Sequence, residues 1–113
     1  NQLAECLQDI PVYDYERIVI AYEPIWAIGK DAKRPATAAE CFEMVTVIKR
    51  SISEIINNAD VAHLIPVLYG GSSNAQNTQE FLTTGGANGL LVGRASLDPK
   101  EFGNMITIAS KLK

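Results

Sequence analysis

The chain has 113 residues, of which 47% are hydrophobic and 20% are charged, and its net charge at pH 7 is −3. This length suits one small domain or a piece of a larger one. The acidic balance, without a basic stripe, argues against a nucleic-acid partner. A membrane-spanning helix needs about 20 consecutive apolar residues, and no apolar run in the sequence approaches that length. We therefore expect neither a nucleic-acid nor a membrane partner.

The cysteines and the N-terminal residues indicate the cell compartment and the extent of the chain. Cys6 and Cys41 lack metal-ligand spacing, and the single histidine, His63, cannot complete a zinc set. We expect two reduced cysteines in helices, as in a cytoplasmic protein, and no metal site. The opening residues, NQLAECLQDI, have no signal-peptide pattern and resemble the middle of an amphipathic helix. This opening predicts a fragment of a longer protein.

Four segments predict helices. The first spans 2–10 and ends before Pro11, the third lies around 74–84, and the last begins at Asp98 and Pro99. The second has the strongest signals: a capping box from Thr37 to Glu40, and an end at Asn57 and Asn58. Its predicted buried face comprises Cys41, Val45, Ile48, Ile52 and Ile55. The last helix has a predicted buried stripe of Phe102, Met105, Ile106 and Ala109. We interpret Tyr13, Tyr15 and Phe42 as packing residues.

Three continuous apolar runs predict buried strands between these helices. They are RIVIAYE at 17–23, LIPVLY at 64–69 and GLLVG at 89–93. Pro66 inside the second run is a warning, because proline cannot donate to a strand ladder. Strands that alternate with helices predict an α/β fold, a parallel sheet covered by helices. Three strands cannot close on themselves, so the pattern fits either a small open sheet or a slice of an eight-stranded barrel.

Sites in parallel α/β folds form where strands end, and three segments follow strand ends: 23–29, 70–73 and 93–96. Glu23 ends an apolar strand, where a carboxylate is costly to bury unless it faces a cavity. It is either a general base or a solvated strand-end residue. The apolar residues of 24–29 predict either a lid that excludes water or a buried connection. His63 falls at the opposite end, and we expect a structural or solvated role.

Glycine follows each of two consecutive strands, in the pairs Gly70-Gly71 and Gly93-Arg94. Gly70-Gly71 precedes Ser72, and Gly93 precedes Arg94. Either pair alone is simply interpreted as a turn, but glycine also lets backbone N–H groups approach an anion. A phosphate site after strands seven and eight is frequent in (β/α)8 barrels, so the two pairs together favour phosphate binding.

The combination of motifs resembles triosephosphate isomerase. AYEPIWAIG (21–29), LYGGSS (68–73) and LLVGRASL (90–97) occur in order and at suitable separations. They look like that family's glutamate and lid segment, its YGGS loop and its last phosphate loop. The resemblance covers 1–113 and implies the C-terminal portion of a single TIM (β/α)8-barrel domain: strands six, seven and eight with their helices, in an incomplete barrel.

The resemblance also implies roles for individual residues. Glu23 matches the catalytic base, and Tyr69 matches a tyrosine that latches the closed lid. The matched lid is Pro24, Ile25, Trp26, Ala27, Ile28 and Gly29. The matched phosphate-binding residues are Gly29, Ser72, Gly93 and Arg94.

The implied reaction interconverts dihydroxyacetone phosphate and glyceraldehyde 3-phosphate through an enediolate, in glycolysis and gluconeogenesis. Glu23 would remove the proton next to the carbonyl. The substrate is a small phosphosugar, and no metal or organic cofactor is expected. The full-length protein is expected to be a cytoplasmic homodimer.

Departures from the family pattern leave alternatives open. Arg94 replaces the family's second glycine, and the segment 29–35 is two residues longer than usual. Both changes fall where substrate ends are enclosed, so a relative acting on a four-carbon ketose phosphate is one alternative. The family's asparagine, lysine and histidine from the first and fourth strands have no counterpart here. The other alternative is therefore a non-catalytic fragment that self-associates.

Overall fold

The computed structural model describes residues 2–24, residue 34 and residues 36–112. In these ranges helices and strands alternate. The helices are α1 (Gln2–Leu7), α2 (Ala38–Ile56), α3 (Ala59–Leu64), α4 (Thr78–Leu82) and α5 (Pro99–Ser110). The strands are β1 (Ile20–Tyr22), β2 (Val67–Tyr69) and β3 (Gly89–Leu90). Two 3-10 helices, Val12–Arg17 and Arg94–Leu97, precede β1 and α5. None of the described helices is both long and apolar enough to cross a membrane.

The strands form one parallel sheet in the order β1-β2-β3. Tyr22 pairs with Tyr69, and Tyr69 pairs with Leu90, so all three strands end at the same edge. The predicted α/β fold with a parallel sheet is confirmed. Within the described residues the sheet is open rather than closed into a barrel.

All three strands are shorter than predicted. β1 covers only Ile20–Tyr22 of the first predicted run, and Arg17 at the start of that run belongs to the preceding 3-10 helix. The second run begins inside α3, a helix that the sequence analysis did not predict. The Asn58 side chain caps α3 by accepting the Val61 N–H at 3.1 Å. Pro66 lies just before β2, where its carbonyl still accepts the Ile20 N–H at 2.9 Å.

The core lies between α2 and the sheet. Four predicted positions of the α2 face are buried and Ile55 is partly buried. Tyr69 and Phe81 are fully buried at 0% exposure, and their rings stack with centroids 4.1 Å apart. The Tyr69 hydroxyl accepts the buried Ala36 N–H at 3.1 Å. The segment that leads into α2 is thus fixed to the end of β2.

Some residues predicted to pack are exposed instead. Tyr15 is buried, but Tyr13 and Phe42 are 78% and 55% exposed. In α5 only Met105 of the predicted stripe is fully buried, whereas Ile106 is 55% exposed. These packing interpretations fail because the described residues cover the faces only in part: the Phe42 ring lies beside Gly86, and Phe102 and Ala109 are partly buried.

The N-terminus of α2 carries the predicted capping box. The Thr37 hydroxyl accepts the Glu40 N–H at 3.1 Å, and the Glu40 carboxylate accepts the Thr37 N–H at 2.9 Å. The same carboxylate accepts two bonds from the Arg34 guanidinium, at 2.8 and 3.0 Å. The Arg34 bonds, and then the Thr37 N–H, lower the pKa of Glu40 to about 2. Arg34 therefore ties the segment before α2 to its first turn.

Substitution Tyr69→Phe in the full-length protein should lower the free energy of unfolding. The buried Ala36 N–H would lose its acceptor, which costs about 1–3 kcal/mol. Urea denaturation measures the loss. Tyr22→Phe is the matched control, because the half-buried Tyr22 hydroxyl bonds to none of the described residues. Equal stability of Tyr69→Phe and wild type would contradict the role of this bond.

Substitution Glu40→Gln should destabilise the protein at neutral pH and have less effect in acid. Because the folded pKa is depressed, the charged carboxylate adds stability above its ordinary pKa of 4.5, and this is lost as the pH falls toward 2. Glutamine can still accept the Thr37 N–H, so the variant isolates the charge. Urea denaturation across this pH range, with Glu43→Gln on the same helix as control, checks the prediction. A stability difference that does not change with pH would show that the charge is irrelevant.

Candidate functional site

The carboxyl ends of β1 and β2 bring Glu23 against residues 70–73, which we call the first glycine loop. Residues 93–95, after β3, form the second glycine loop. The Gly70 N–H donates to the Tyr22 carbonyl at 2.7 Å, which holds the two strand ends together. A Cβ atom on Gly70 would lie 2.6 Å from Glu23 Cγ and 3.2 Å from its Oε1. The Glu23 side chain therefore packs on the face of Gly70, and only glycine leaves room for it. The carboxylate is exposed, so the burial considered from the sequence is absent in the described residues.

A cavity of about 320 Å³ lies between the two glycine loops, after β2 and β3. Its walls are residues 70–73 and 93–95. This volume is at the lower end of the range for small-molecule sites, about 300–1,000 Å³. The cavity brings together three of the predicted phosphate-binding residues, Ser72, Gly93 and Arg94. Glu23 adjoins it through Gly70.

The first glycine loop is held in place from both sides. A Cβ atom on Gly71 would overlap the ring and hydroxyl of Tyr69, so the loop follows the contour of this buried side chain. Beyond the cavity, the Asn74 side chain accepts the N–H groups of Gln76 and Asn77 at 2.9 and 3.0 Å. Glu101 of α5 accepts the Ala75 N–H at 2.7 Å. The loop is therefore anchored to both the core and the last helix.

The second glycine loop continues directly into the 3-10 helix Arg94–Leu97. The Ser96 hydroxyl donates to the Gly93 carbonyl at 2.6 Å. Among the described non-glycine residues, Asn57 alone has a positive φ, so Arg94 does not. The strain that a positive φ would impose at Arg94 is therefore absent. The Asp98 side chain caps α5, as predicted, by accepting the N–H groups of Lys100 and Glu101.

Several predicted residues do not join this site. Pro24 is buried at the end of β1, while Ile25 to Gly29 of the predicted lid lie outside the described residues. His63 is exposed in α3, at the opposite end of β2, and its carbonyl accepts the Lys49 ammonium at 3.0 Å. No group of three or more metal-ligating side chains occurs in the described ranges.

Both cysteines are free and lie in helices, as predicted. Cys6 is exposed in α1, and Cys41 is one of the buried residues of α2. Burial raises the pKa of the Cys41 thiol to about 11, so it is protonated at neutral pH and a poor nucleophile.

The sequence analysis gave no individual role to Ser73, although it falls in the predicted segment 70–73. The Ser73 hydroxyl oxygen is buried and has no hydrogen-bond partner among the described residues, and Ser73 lines the cavity. Its position directly after Ser72 in LYGGSS was the available signal, but its burial required the folded structure.

Comparisons with known proteins point to one family. The family model described as triosephosphate isomerase matches residues 1–109. A triosephosphate isomerase of Mycobacteroides abscessus is 43% identical over 110 residues, which is 97% of this chain and 41% of that protein. One of Dictyoglomus thermophilum is 41% identical, covering 94% of this chain and 41% of its own length. A triosephosphate isomerase of Aquifex aeolicus is 44% identical, and the match covers 80% of this chain and 35% of that protein.

The chain thus spans about two fifths of the length of the curated relatives it matches. Its open, three-stranded parallel sheet agrees with a part of a TIM barrel. A match over almost the whole of this chain, at about 40% identity, establishes the family. The chain belongs to the triosephosphate isomerase family.

Proposed function

We propose that the protein containing these residues interconverts dihydroxyacetone phosphate and glyceraldehyde 3-phosphate, with Glu23 as the general base. The observation that carries the proposal is the packing of the Glu23 side chain on Gly70, a wall residue of the small cavity between the glycine loops. A ligand phosphate in that cavity would leave the rest of a three-carbon chain beside the carboxylate. Family membership makes this the first chemistry to consider.

The proposed reaction needs a base and remote binding of the phosphate. Glu23 removes a proton from the carbon next to the carbonyl, and an enediolate forms. The proton then returns to the neighbouring carbon. The carbonyl itself acidifies the transferred proton, so these steps draw on no cofactor. The phosphate supplies binding energy that orients the reacting carbons.

A second candidate function is the same isomerisation of a four-carbon ketose phosphate. The observation that favours it is Arg94, an arginine on the cavity wall where the family pattern has glycine. Turnover by the full-length protein of dihydroxyacetone phosphate and of a four-carbon ketose phosphate discriminates between the two. The larger kcat/KM identifies the substrate, and no turnover of either would overturn both candidates. On the basis of the family resemblance, we further propose that the full-length protein is a cytoplasmic homodimer. Its proposed reaction would serve glycolysis and gluconeogenesis.

Substitution Glu23→Asp in the full-length protein should lower kcat about 100-fold, because the shorter side chain withdraws the base by roughly 1 Å from the carbon-bound proton. KM should change little, since the phosphate contacts remain. Steady-state kinetics measures both parameters. An unchanged kcat would contradict the proposal that Glu23 is the general base.

Gly70→Ala provides a second check on the position of Glu23. The added methyl group would lie 2.6 Å from Glu23 Cγ, so the carboxylate must move and kcat should fall. The matched control is Gly103→Ala in α5, where a Cβ atom meets nothing within 4 Å. Equal kcat values for the two alanine variants would contradict the proposed position of the base.

A polypeptide of these 113 residues alone should be inactive and should self-associate. A base without electrophilic partners leaves the enediolate oxygen unstabilised, and even one such donor is worth about 2.7–4 kcal/mol. Apolar cavities of about 810 and 520 Å³ lie along β1 and β3, which are the unpaired edges of the described sheet. Such edges pair readily with other chains.

Sedimentation of this polypeptide should show oligomers or aggregates rather than a 12.3 kDa monomer. Leu91→Lys, at a 46% exposed position beside β3, should weaken association by placing charge on the edge. Lys49→Gln, in α2 and not on either edge strand, is the control. A compact monomer that turns over dihydroxyacetone phosphate would contradict both expectations.

A further inference from the structure

The chain turns at residues 74–77, between the first glycine loop and α4. The Asn74 side chain accepts the N–H groups of Gln76 and Asn77 at 2.9 and 3.0 Å. The Asn77 side chain accepts the Asn74 N–H at 2.8 Å, and its amide donates to the Ser72 carbonyl at 3.4 Å. These bonds stiffen the turn, but each of them joins residues of the same short stretch of chain. They do not attach the turn to another element.

Glu101 attaches this turn to the last helix. The Glu101 Oε1 atom accepts the Ala75 N–H at 2.7 Å in a partly buried position, although the two residues are 26 positions apart. Glu101 lies in the first turn of α5, where the Asp98 side chain accepts its N–H at 3.2 Å. A hydrogen bond to a charged carboxylate is shorter and stronger than one between neutral groups. The turn is therefore held from outside the cavity by a strong bond.

The first turn of α5 is also where the second glycine loop ends. The 3-10 helix after that loop leads directly into Asp98, whose side chain caps α5. The start of α5 thus follows one glycine loop in the chain and, through Glu101, holds the turn after the other. Only Asn74 separates Ala75 from the first glycine loop, so a shift of Ala75 away from α5 would displace that loop. The Glu101–Ala75 bond therefore sets the spacing of the two loops.

We propose that Glu101 is a positioning residue for substrate binding, which keeps the two glycine loops at the separation that the substrate requires. The cavity walls are residues 70–73 and 93–95, so Glu101 acts through the turn rather than by touching the ligand. The identity of the substrate rests on the proposed function, whereas the attachment of the turn to α5 does not.

Loss of this bond should affect binding rather than the chemical step. Without it the first glycine loop occupies further positions, and the apparent affinity falls with the fraction of molecules whose loops remain aligned. The proposed base, Glu23, packs on Gly70 at the other end of the loop, next to β2. The Gly70 N–H is bonded to the Tyr22 carbonyl there, at 2.7 Å. The position of the base therefore does not depend on Glu101.

Steady-state kinetics of the full-length protein with dihydroxyacetone phosphate tests this role. Glu101→Ala should raise KM about 2- to 10-fold, the effect of one lost hydrogen bond, and leave kcat nearly unchanged. Glu101→Gln should restore KM to near the wild-type value, because the glutamine carbonyl can still accept the Ala75 N–H. Glu80→Ala is the matched control, because the Glu80 carboxylate in α4 is exposed and bonds to none of the described residues.

Three kinetic outcomes would overturn the inference. The first is a wild-type KM in Glu101→Ala. The second is a raised KM that Glu101→Gln does not restore, because the charge and not the bond would then matter. The third is an equal rise in Glu80→Ala. Thermal unfolding shows whether each variant is folded. If Glu101→Ala is not, Glu101→Asp decides the matter, because aspartate keeps the charge at the start of α5 but is too short to reach Ala75.

Hydrogen exchange separates this inference from the proposed function. The amides of residues 72–77 should exchange faster in Glu101→Ala than in the wild type, and Glu101→Gln should restore their protection. This result without turnover of either ketose phosphate would defeat the proposed function and leave the attachment of the turn established. Unchanged exchange in Glu101→Ala would overturn the inference even if the protein is an active isomerase.

Discussion

The buried Tyr69 side chain is the contact on which the arrangement of the site depends. Its ring stacks on Phe81 in the core, its hydroxyl accepts the Ala36 N–H, and its bulk excludes any side chain at Gly71. Close packing leaves such a ring little freedom. One residue therefore fixes the start of α2, the direction of the first glycine loop and the end of β2. Tyr69 thus contacts both Gly71 of the cavity wall and Ala36, which follows the predicted lid in the chain.

The parallel register of the strands brings the residues that follow them together in one candidate site. Because Tyr22, Tyr69 and Leu90 are aligned across the sheet, the residues that follow them emerge at one edge. Residues far apart in the chain, such as Glu23 and Gly70, then come into contact without any special loop structure. The same alignment leaves β1 and β3 as unpaired edges of the described sheet, with apolar side chains along them. The described residues thus form an open sheet whose C-terminal edge carries the candidate site.

The helix caps were predictable from the sequence, whereas the strand ends and the burial of individual side chains were not. The capping box of α2 and the Asp98 cap of α5 are determined by residues within one helical turn, and both were correctly predicted. Strand lengths were overestimated because a strand ends where pairing ends, and pairing depends on partners far along the chain. Phe42 and Tyr13 were misjudged because hydrophobicity does not reveal whether a covering surface is present. Ser73 was given no individual role because burial of its hydroxyl follows from the fold of two loops.

The space around the glycines explains where the chain departs from the family pattern. At Gly70 and Gly71 a Cβ atom would meet Glu23 or Tyr69, so a side chain at either position would displace a neighbour on which the site depends. At Gly93 a Cβ atom meets nothing within 4 Å, so the second loop is open. Arg94 follows in a 3-10 helix without a positive φ, where a long side chain is tolerated at no backbone cost. A side chain is therefore tolerated in the second loop, whereas the first loop, which packs on Glu23 and Tyr69, must keep its glycines.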